Sequence, residues 1–309
     1  MKVLRNSNEI PADIRSVVST GTFDGVHKGH QAIIKKMITI AKQHQLQSVI
    51  VTFEPHPRVA LGKDDNKLKL LTTLDEKLSI FERSGIDYVF VIDFTPEFAA
   101  TPYESYVKDF LVGQLKAKFI VLGFNHHFGN KRSGNHDTLI KMGAEYGYQV
   151  EEVNEQTEKG VASSSTKIRA LLDNHFVEEA NSLLSYHYSI SGEVVEGKKI
   201  GNTIGFPTAN VKIGDCLKQI PSNGVYAVNV EVENRLYKGM CNIGLNPTFE
   251  NRSLSIEVNI FDFERNIYGK YIKITFESFI RDEIKFKSVD ELVLQLNRDK
   301  QTVLKKLHE

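Results

Sequence analysis

Residues 21–30 read GTFDGVHKGH, and this string decides how the first half of the chain folds. The residues before it, SVVST at 16–20, predict a short buried strand from their β-branched content. After it, QAIIKKMI at 31–38 opens a predicted helix, with apolar residues at 33, 34, 37 and 38 on one face. Two imidazoles, His27 and His30, therefore fall where a strand hands over to a helix. Gly21, Gly25 and Gly29 permit close approach of backbone to a ligand. A helix N-terminus there offers free N–H groups and a positive dipole end, both favourable to phosphate.

Working outward, strand-like and helix-like segments alternate up to about residue 185. Strands are predicted at 48–53, 88–92 and 119–122, with helices near 74–83, 103–115 and 136–146. This alternation predicts a parallel sheet with helices on both faces, whose ligands bind beyond the carboxyl ends of the strands. Unusual sequences fall at those ends: the histidine string, EPHP at 54–57 and GFNHHFGNKRSGN at 123–135. His126 and His127, being adjacent, face opposite ways on an extended segment, which argues against a shared metal. SSSTKIR at 163–169 opens a further helix, where hydroxyls, backbone N–H groups, Lys167 and Arg169 can converge on phosphates.

From residue 188 the period becomes two. Strands are predicted at 188–195, 224–230, 254–260 and 271–276, an antiparallel barrel or sandwich. An amphipathic helix closes the chain on Val289, Leu292, Leu294, Leu296, Val303, Leu304 and Leu307. In GNTIGFPTAN at 201–210, Thr208 and Asn210 project to one side if the segment is extended, an arrangement suited to Mg2+. Glu257 shares a strand face with Ser255 and Asn259, opposite Ile256 and Val258. No GxxxxGK[ST] P-loop occurs.

The 309 residues suffice for two domains, and charged residues at 25% with hydrophobic ones at 41% are ordinary for a globular protein. Lys+Arg and Asp+Glu both number 39, so no net field draws nucleic acid or an anionic membrane. Two cysteines, Cys216 and Cys241, are too few for a disulfide framework and lack metal-ligand spacing. With no signal-peptide core in residues 1–11 and no long apolar run, a cytoplasmic location is expected.

H-x-G-H after a first strand resembles the nucleotidylyltransferase superfamily, and GTFDGVHKGH is similar to its FAD synthetase branch, usually fused to a riboflavin kinase. The resemblance implies that His27 and His30 act on the triphosphate, with Gly21, Phe23, Asp24 and Gly29 at the ATP. The string 163–169 resembles the family's S-S-T-x-I-R element, implying phosphate contacts from Ser164, Ser165 and Thr166 and a catalytic Arg169. Residues 123–129 resemble G-x-[D/N]-F-x-F-G, with His126 in place of the first aromatic, and imply flavin contacts from Asn125 and Phe128. EPHP resembles the substrate loop, so that Pro55, His56 and Pro57 rim an isoalloxazine ring. GFPTAN resembles the riboflavin kinase signature, whose Thr and Asn, here Thr208 and Asn210, hold the metal and ATP phosphates. The block around SIEVNIFDFERNIYGK implies that Glu257 activates the primary ribityl hydroxyl. Gly201, Gly205 and Pro207, with Asn242 and Arg281 from NIGLNPTF and FIRDE, are then ATP- or flavin-binding.

The resemblance implies a Rossmann-like adenylyltransferase domain at 1–185 and a riboflavin kinase barrel at 186–309. Riboflavin, ATP and Mg2+ would yield FMN in the second domain, and FMN with a second ATP would yield FAD and pyrophosphate in the first. No obligatory protein partner is implied. Two alternatives are a flavin-binding barrel without kinase activity and a non-catalytic flavin or nucleotide sensor.

Overall fold

The computed structural model describes residues 1–62, 68–124, 136–158, 160–197, 200–246 and 253–307. It divides into two compact units, Met1–Ser165 and Thr166–Glu309.

In the first unit, β1 (Lys2–Leu4), β2 (Ser16–Thr20), β3 (Gln47–Glu54), β4 (Tyr88–Asp93), β5 (Ala117–Gly123) and β6 (Gln149–Val153) form one sheet in the order β1-β4-β3-β2-β5-β6. Every pairing is parallel. Strand order reverses between β2 and β5, so a crevice opens at their carboxyl ends. The central strands are apolar on both faces because both are covered. Val17, Ile50, Val89 and Val121 pack with Ile33, Ile34 and Met37 of α1 (Lys28–His44) and with Phe81. Their neighbours Val18, Val49, Phe90 and Ile120 pack on the other face with Tyr106 and Leu111.

Helix α1 begins at Lys28, not at 31, with His27 as its N-cap, so His30 lies in the first turn. That turn reads KGH and carries no apolar residue, so periodicity could not mark it. The predicted helix at 103–115 is α-helical only over Tyr103–Ser105 and winds as a π-helix over Tyr106–Gln114. The edge strands β1 and β6 carry no strand signal in the sequence, one because it is short and the other because its sequence QVEEV is polar.

The first unit ends with a hairpin, β7 (Thr157–Glu158) and β8 (Val161–Ala162). The second unit holds six antiparallel strands: β9 (Ser189–Val195), β10 (Ala209–Ile213), β11 (Gly224–Val232), β12 (Arg235–Asn246), β13 (Ser253–Ile260) and β14 (Tyr271–Arg281). They close into a barrel in the order β10-β13-β12-β11-β14-β9, which resolves the barrel-or-sandwich choice. Alternate residues such as Tyr226, Val228, Cys241, Val258 and Ile274 are fully buried.

The helix Val289–Lys306 covers Val225, Ala227, Met240 and Phe261 with Val293, Leu296, Val303 and Leu304. Val289 and Leu294, expected in that stripe, are instead 59% and 60% exposed, since they fall off the line through 293, 296, 303 and 304. The helix Val177–Leu184 also belongs to the barrel unit: Asn181 donates to the Phe276 carbonyl at 2.9 Å and accepts from the Tyr188 N–H at 2.7 Å. The packing division at 165/166 thus precedes the functional boundary expected at 185/186.

Candidate active sites

A cleft of about 330 Å³ opens at the carboxyl ends of β2, β5 and β6. Gly21, His27 and His30 line one side, Gly123 and Phe124 another, and Ser163 and Ser164 a third. The two imidazoles stack with centroids 3.8 Å apart. His27 is only 7% exposed, and burial pushes its pKa down to about 4, so the ring is neutral near pH 7. Its Nδ1 and the Ser163 hydroxyl are buried without a hydrogen-bond partner, and both residues line the cleft. Gly29 lets the His27 ring lie close against the backbone. A Cβ there would stand 3.1 Å from His27 Cε1 and 3.2 Å from Nδ1.

The turn leading to His27 is strained. Phe23, Gly25 and Val26 have φ of 49°, 78° and 36°, and a β-branched residue in the left-handed region is held there only by its surroundings. Asp24 does not line the cleft; its carboxylate accepts from the Leu71 and Thr72 N–H groups at 2.8 and 3.3 Å. The Ser165 hydroxyl donates to the Asp24 carbonyl at 2.8 Å, tying the serine string to the histidine string. Thr166 and Arg169 fall in the second unit.

Pro55, His56 and Pro57 follow β3 after a cis Glu54–Pro55 bond; His56 Nδ1 accepts from the Arg58 N–H at 3.2 Å, and none of the three lines the cleft. Asn125 and Phe128, with His126 and His127, lie outside the described residues. One wall went unread in the sequence: Asn154, Glu155 and Gln156, just beyond β6. The rule that places ligands at strand ends would have found it had β6 been recognised.

On the barrel, strand register gathers the second set of residues. Asn210 lies directly opposite Glu257 across β10–β13, and Asn242 directly opposite Glu257 across β12–β13. Opposed residues of antiparallel strands share a face, so these three form a row with Glu257 at its centre. The Thr208 hydroxyl donates to Glu257 Oε2 at 3.3 Å and the Ser255 hydroxyl to Oε1 at 3.1 Å. Glu257 is half-buried rather than a free strand carboxylate.

Glycines leave room around the row: the Asn210 amide occupies the place of a Cβ at Gly197, and the Glu283 carboxylate that of a Cβ at Gly244. Gly201 sits against the Phe206 carbonyl and Gly205 has φ 81°, which turns the chain into Pro207 and Thr208. The Thr208 hydroxyl and Asn210 amide oxygens, beside the Glu257 carboxylate, are hard donors of the kind that fits Mg2+. Arg281 is engaged elsewhere. Its guanidinium holds the buried Asp299 on the closing helix through Nε at 3.1 Å and Nη2 at 2.7 Å.

A doubly wound sheet ending in an imidazole-lined cleft, together with a barrel that carries a clustered carboxylate, defines a two-site transferase. The FAD synthetase family model matches residues 9–167 and the riboflavin kinase model residues 184–307. The chain belongs to the bifunctional riboflavin kinase/FMN adenylyltransferase family. It is 41% identical to the member from Listeria monocytogenes, over 94% of this chain and 91% of that one. The Escherichia coli K12 member is 37% identical over 98% and 96% of the two chains. A crystal structure described as a macrolide-efflux protein from Streptococcus pneumoniae matches with TM-score 0.89 and 33% identity over 97% of both chains. Among the described residues here, no helix is long and apolar enough to cross a membrane.

Proposed function

We propose that the two activities of this bifunctional enzyme divide by unit, with FMN made on the barrel and FAD in the cleft. The observation that carries the kinase assignment is the row Asn210–Glu257–Asn242 with Thr208 bonded to its central carboxylate. Glu257 takes the proton from the primary ribityl hydroxyl as that oxygen attacks the γ-phosphorus of ATP and ADP leaves. Thr208 and Asn210 would hold Mg2+, which would offset charge on the phosphates when bound. Gly201, Gly205, Pro207 and Asn242 shape the ATP and riboflavin sites around them.

In the cleft, an FMN phosphate oxygen attacks the α-phosphorus of ATP, the bond to the bridging oxygen breaks, and pyrophosphate leaves. His27 and His30 act there as prepositioned hydrogen-bonding groups on the triphosphate. His27 starts neutral, and a bound triphosphate raises its pKa by adding negative charge beside it. Gly21, Phe23 and Gly29 border the same phosphates, with Ser163 and Ser164 opposite. Ser165 and Asp24 tie the two strings together. On the family pattern, Pro55, His56, Pro57, Asn125 and Phe128 form the flavin site. The enzyme works in the cytoplasm on riboflavin, FMN and ATP, without nucleic acid, membrane or an obligatory protein partner.

Incubating the full chain with riboflavin, ATP and Mg2+ and separating the flavins tests this directly. FMN followed by FAD is expected. FAD from supplied FMN alone would leave the barrel a flavin-binding scaffold, and no product would favour a sensor.

A further inference from the structure

Under the strained turn lies buried charge that the nucleotide-binding strings do not include. Lys77, on the helix Leu74–Ser84, is 5% exposed. Its Nζ donates to the Thr22 carbonyl at 2.9 Å and to the Thr52 hydroxyl at 3.3 Å, and that hydroxyl reaches the same carbonyl at 3.4 Å. Burial lowers the Lys77 pKa, while the negative field of Glu54 and Asp24 opposes that shift and favours the ammonium. An ammonium taken out of water carries a large desolvation penalty, and a leucine here would pack without it. Lys77 does not line the cleft, whereas Thr22 does.

What Lys77 grips is the entry to the histidine string. Thr22 is held by Lys77 and Thr52. Two residues on, Asp24 is anchored by the Leu71 and Thr72 N–H groups, and the Gly25 N–H donates to the Thr72 hydroxyl at 3.0 Å. The left-handed Phe23 and Val26 lie between and just beyond these clamps, immediately before His27. The helix bearing Lys77 is itself fixed at its start, where Thr73 and Glu76 exchange side-chain-to-backbone bonds of 3.3 and 3.0 Å. Backbone strain of this kind persists only where the surroundings over-determine it.

We propose that Lys77 is a positioning residue for adenylyl transfer, fixing the Thr22 carbonyl so that, with Asp24, the strained turn presents His27 to the triphosphate. This rests on the reading of the cleft as the adenylyl-transfer site. Lys77 itself touches no reacting atom; it sets where the imidazole stands.

The test is Lys77→Met in the full chain, with FMN and FAD formation measured on the same sample. The kcat for FAD formation should fall by about 10²-fold with KM for ATP and FMN changed by less than about threefold, since misplacement affects the reacting geometry more than ground-state binding. FMN formation should stay parental. The His27 imidazole resonance of 15N-histidine-labelled protein should move, because the stack on His30 loses its fixed geometry. Parental kcat for FAD, or a raised KM with kcat unchanged, would overturn the proposal.

If both products fall together, Thr52→Val decides instead. It removes one bond to the Thr22 carbonyl at constant shape, and a kcat for FAD reduced by about fivefold or more is expected, whereas parental kcat would overturn the proposal. A parental chain that makes no FAD overturns the adenylyl-transfer reading itself, a result distinct from failure of the variant.

Discussion

The two proposed sites approach phosphate chemistry in opposite ways. In the α/β unit the groups proposed to act are the buried His27 and the half-buried His30 at a helix start, on a strained turn clamped from behind. On the barrel they are oxygen donors standing in a row on the outside of regular strands, placed by register alone. The first site depends on non-repetitive backbone and buried charge, and the second on pairing that the whole barrel enforces. Damage to the support should therefore cost the first unit rate and the second unit stability.

The largest effect should come from the barrel's own buried ion pair. Arg281→Met leaves Asp299, 2% exposed, without its bidentate partner, and should cost about 3–5 kcal/mol. Urea unfolding followed by hydrogen exchange of barrel amides checks this. FMN formation by the remaining folded protein should keep its KM for ATP. A raised KM with unchanged stability would return Arg281 to the substrate site.

In the α/β unit, the corresponding test is pH. His27 has a folded pKa of about 4 against an ordinary 6.5. Below 6.5 the unfolded chain takes up a proton that the folded chain refuses. Stability is therefore full above 6.5 and declines as pH falls toward 4, by about 3 kcal/mol for this group. His27→Gln should flatten that part of the stability curve, measured by unfolding midpoints from pH 4 to 7. An unchanged curve would mean that the ring is not buried neutral.

The smallest effect should follow Gly29→Ala. The added methyl meets the His27 ring at 3.1 Å, so the ring shifts by a few tenths of an ångström. Helix propensity gains at the same position. Stability should stay within about 1 kcal/mol while FAD formation falls by about tenfold.

The contrast also explains what could be read in the sequence. Strands buried on both faces, such as those around 17–20 and 49–53, announce themselves by continuous β-branched runs, and so does the alternation that places Glu257 opposite its apolar neighbours. That Thr208 and Asn210 fall on one side, beside Glu257, was legible because an extended segment fixes it. The strand β6 was not, since QVEEV carries the composition of a solvent-facing loop. Lys77 and Asp299 were not either: a buried charge on an amphipathic helix looks like its solvated face until a partner from far along the chain, Thr22 or Arg281, is seen against it. The depressed pKa of His27 has the same origin, for burial comes from the packed turn and not from neighbouring sequence.

Two separate sites acting in turn are tested most directly by one paired assay. Full-length His30→Ala and Glu257→Gln proteins are each given riboflavin, ATP and Mg2+, and in parallel FMN and ATP with Mg2+. His30→Ala should convert riboflavin to FMN at the parental rate while FAD formation drops by about 10²–10³-fold. Glu257→Gln should lose FMN formation by about 10²-fold or more yet convert supplied FMN to FAD at the parental rate. Loss of both products from either single substitution, in protein that remains folded, would contradict the account.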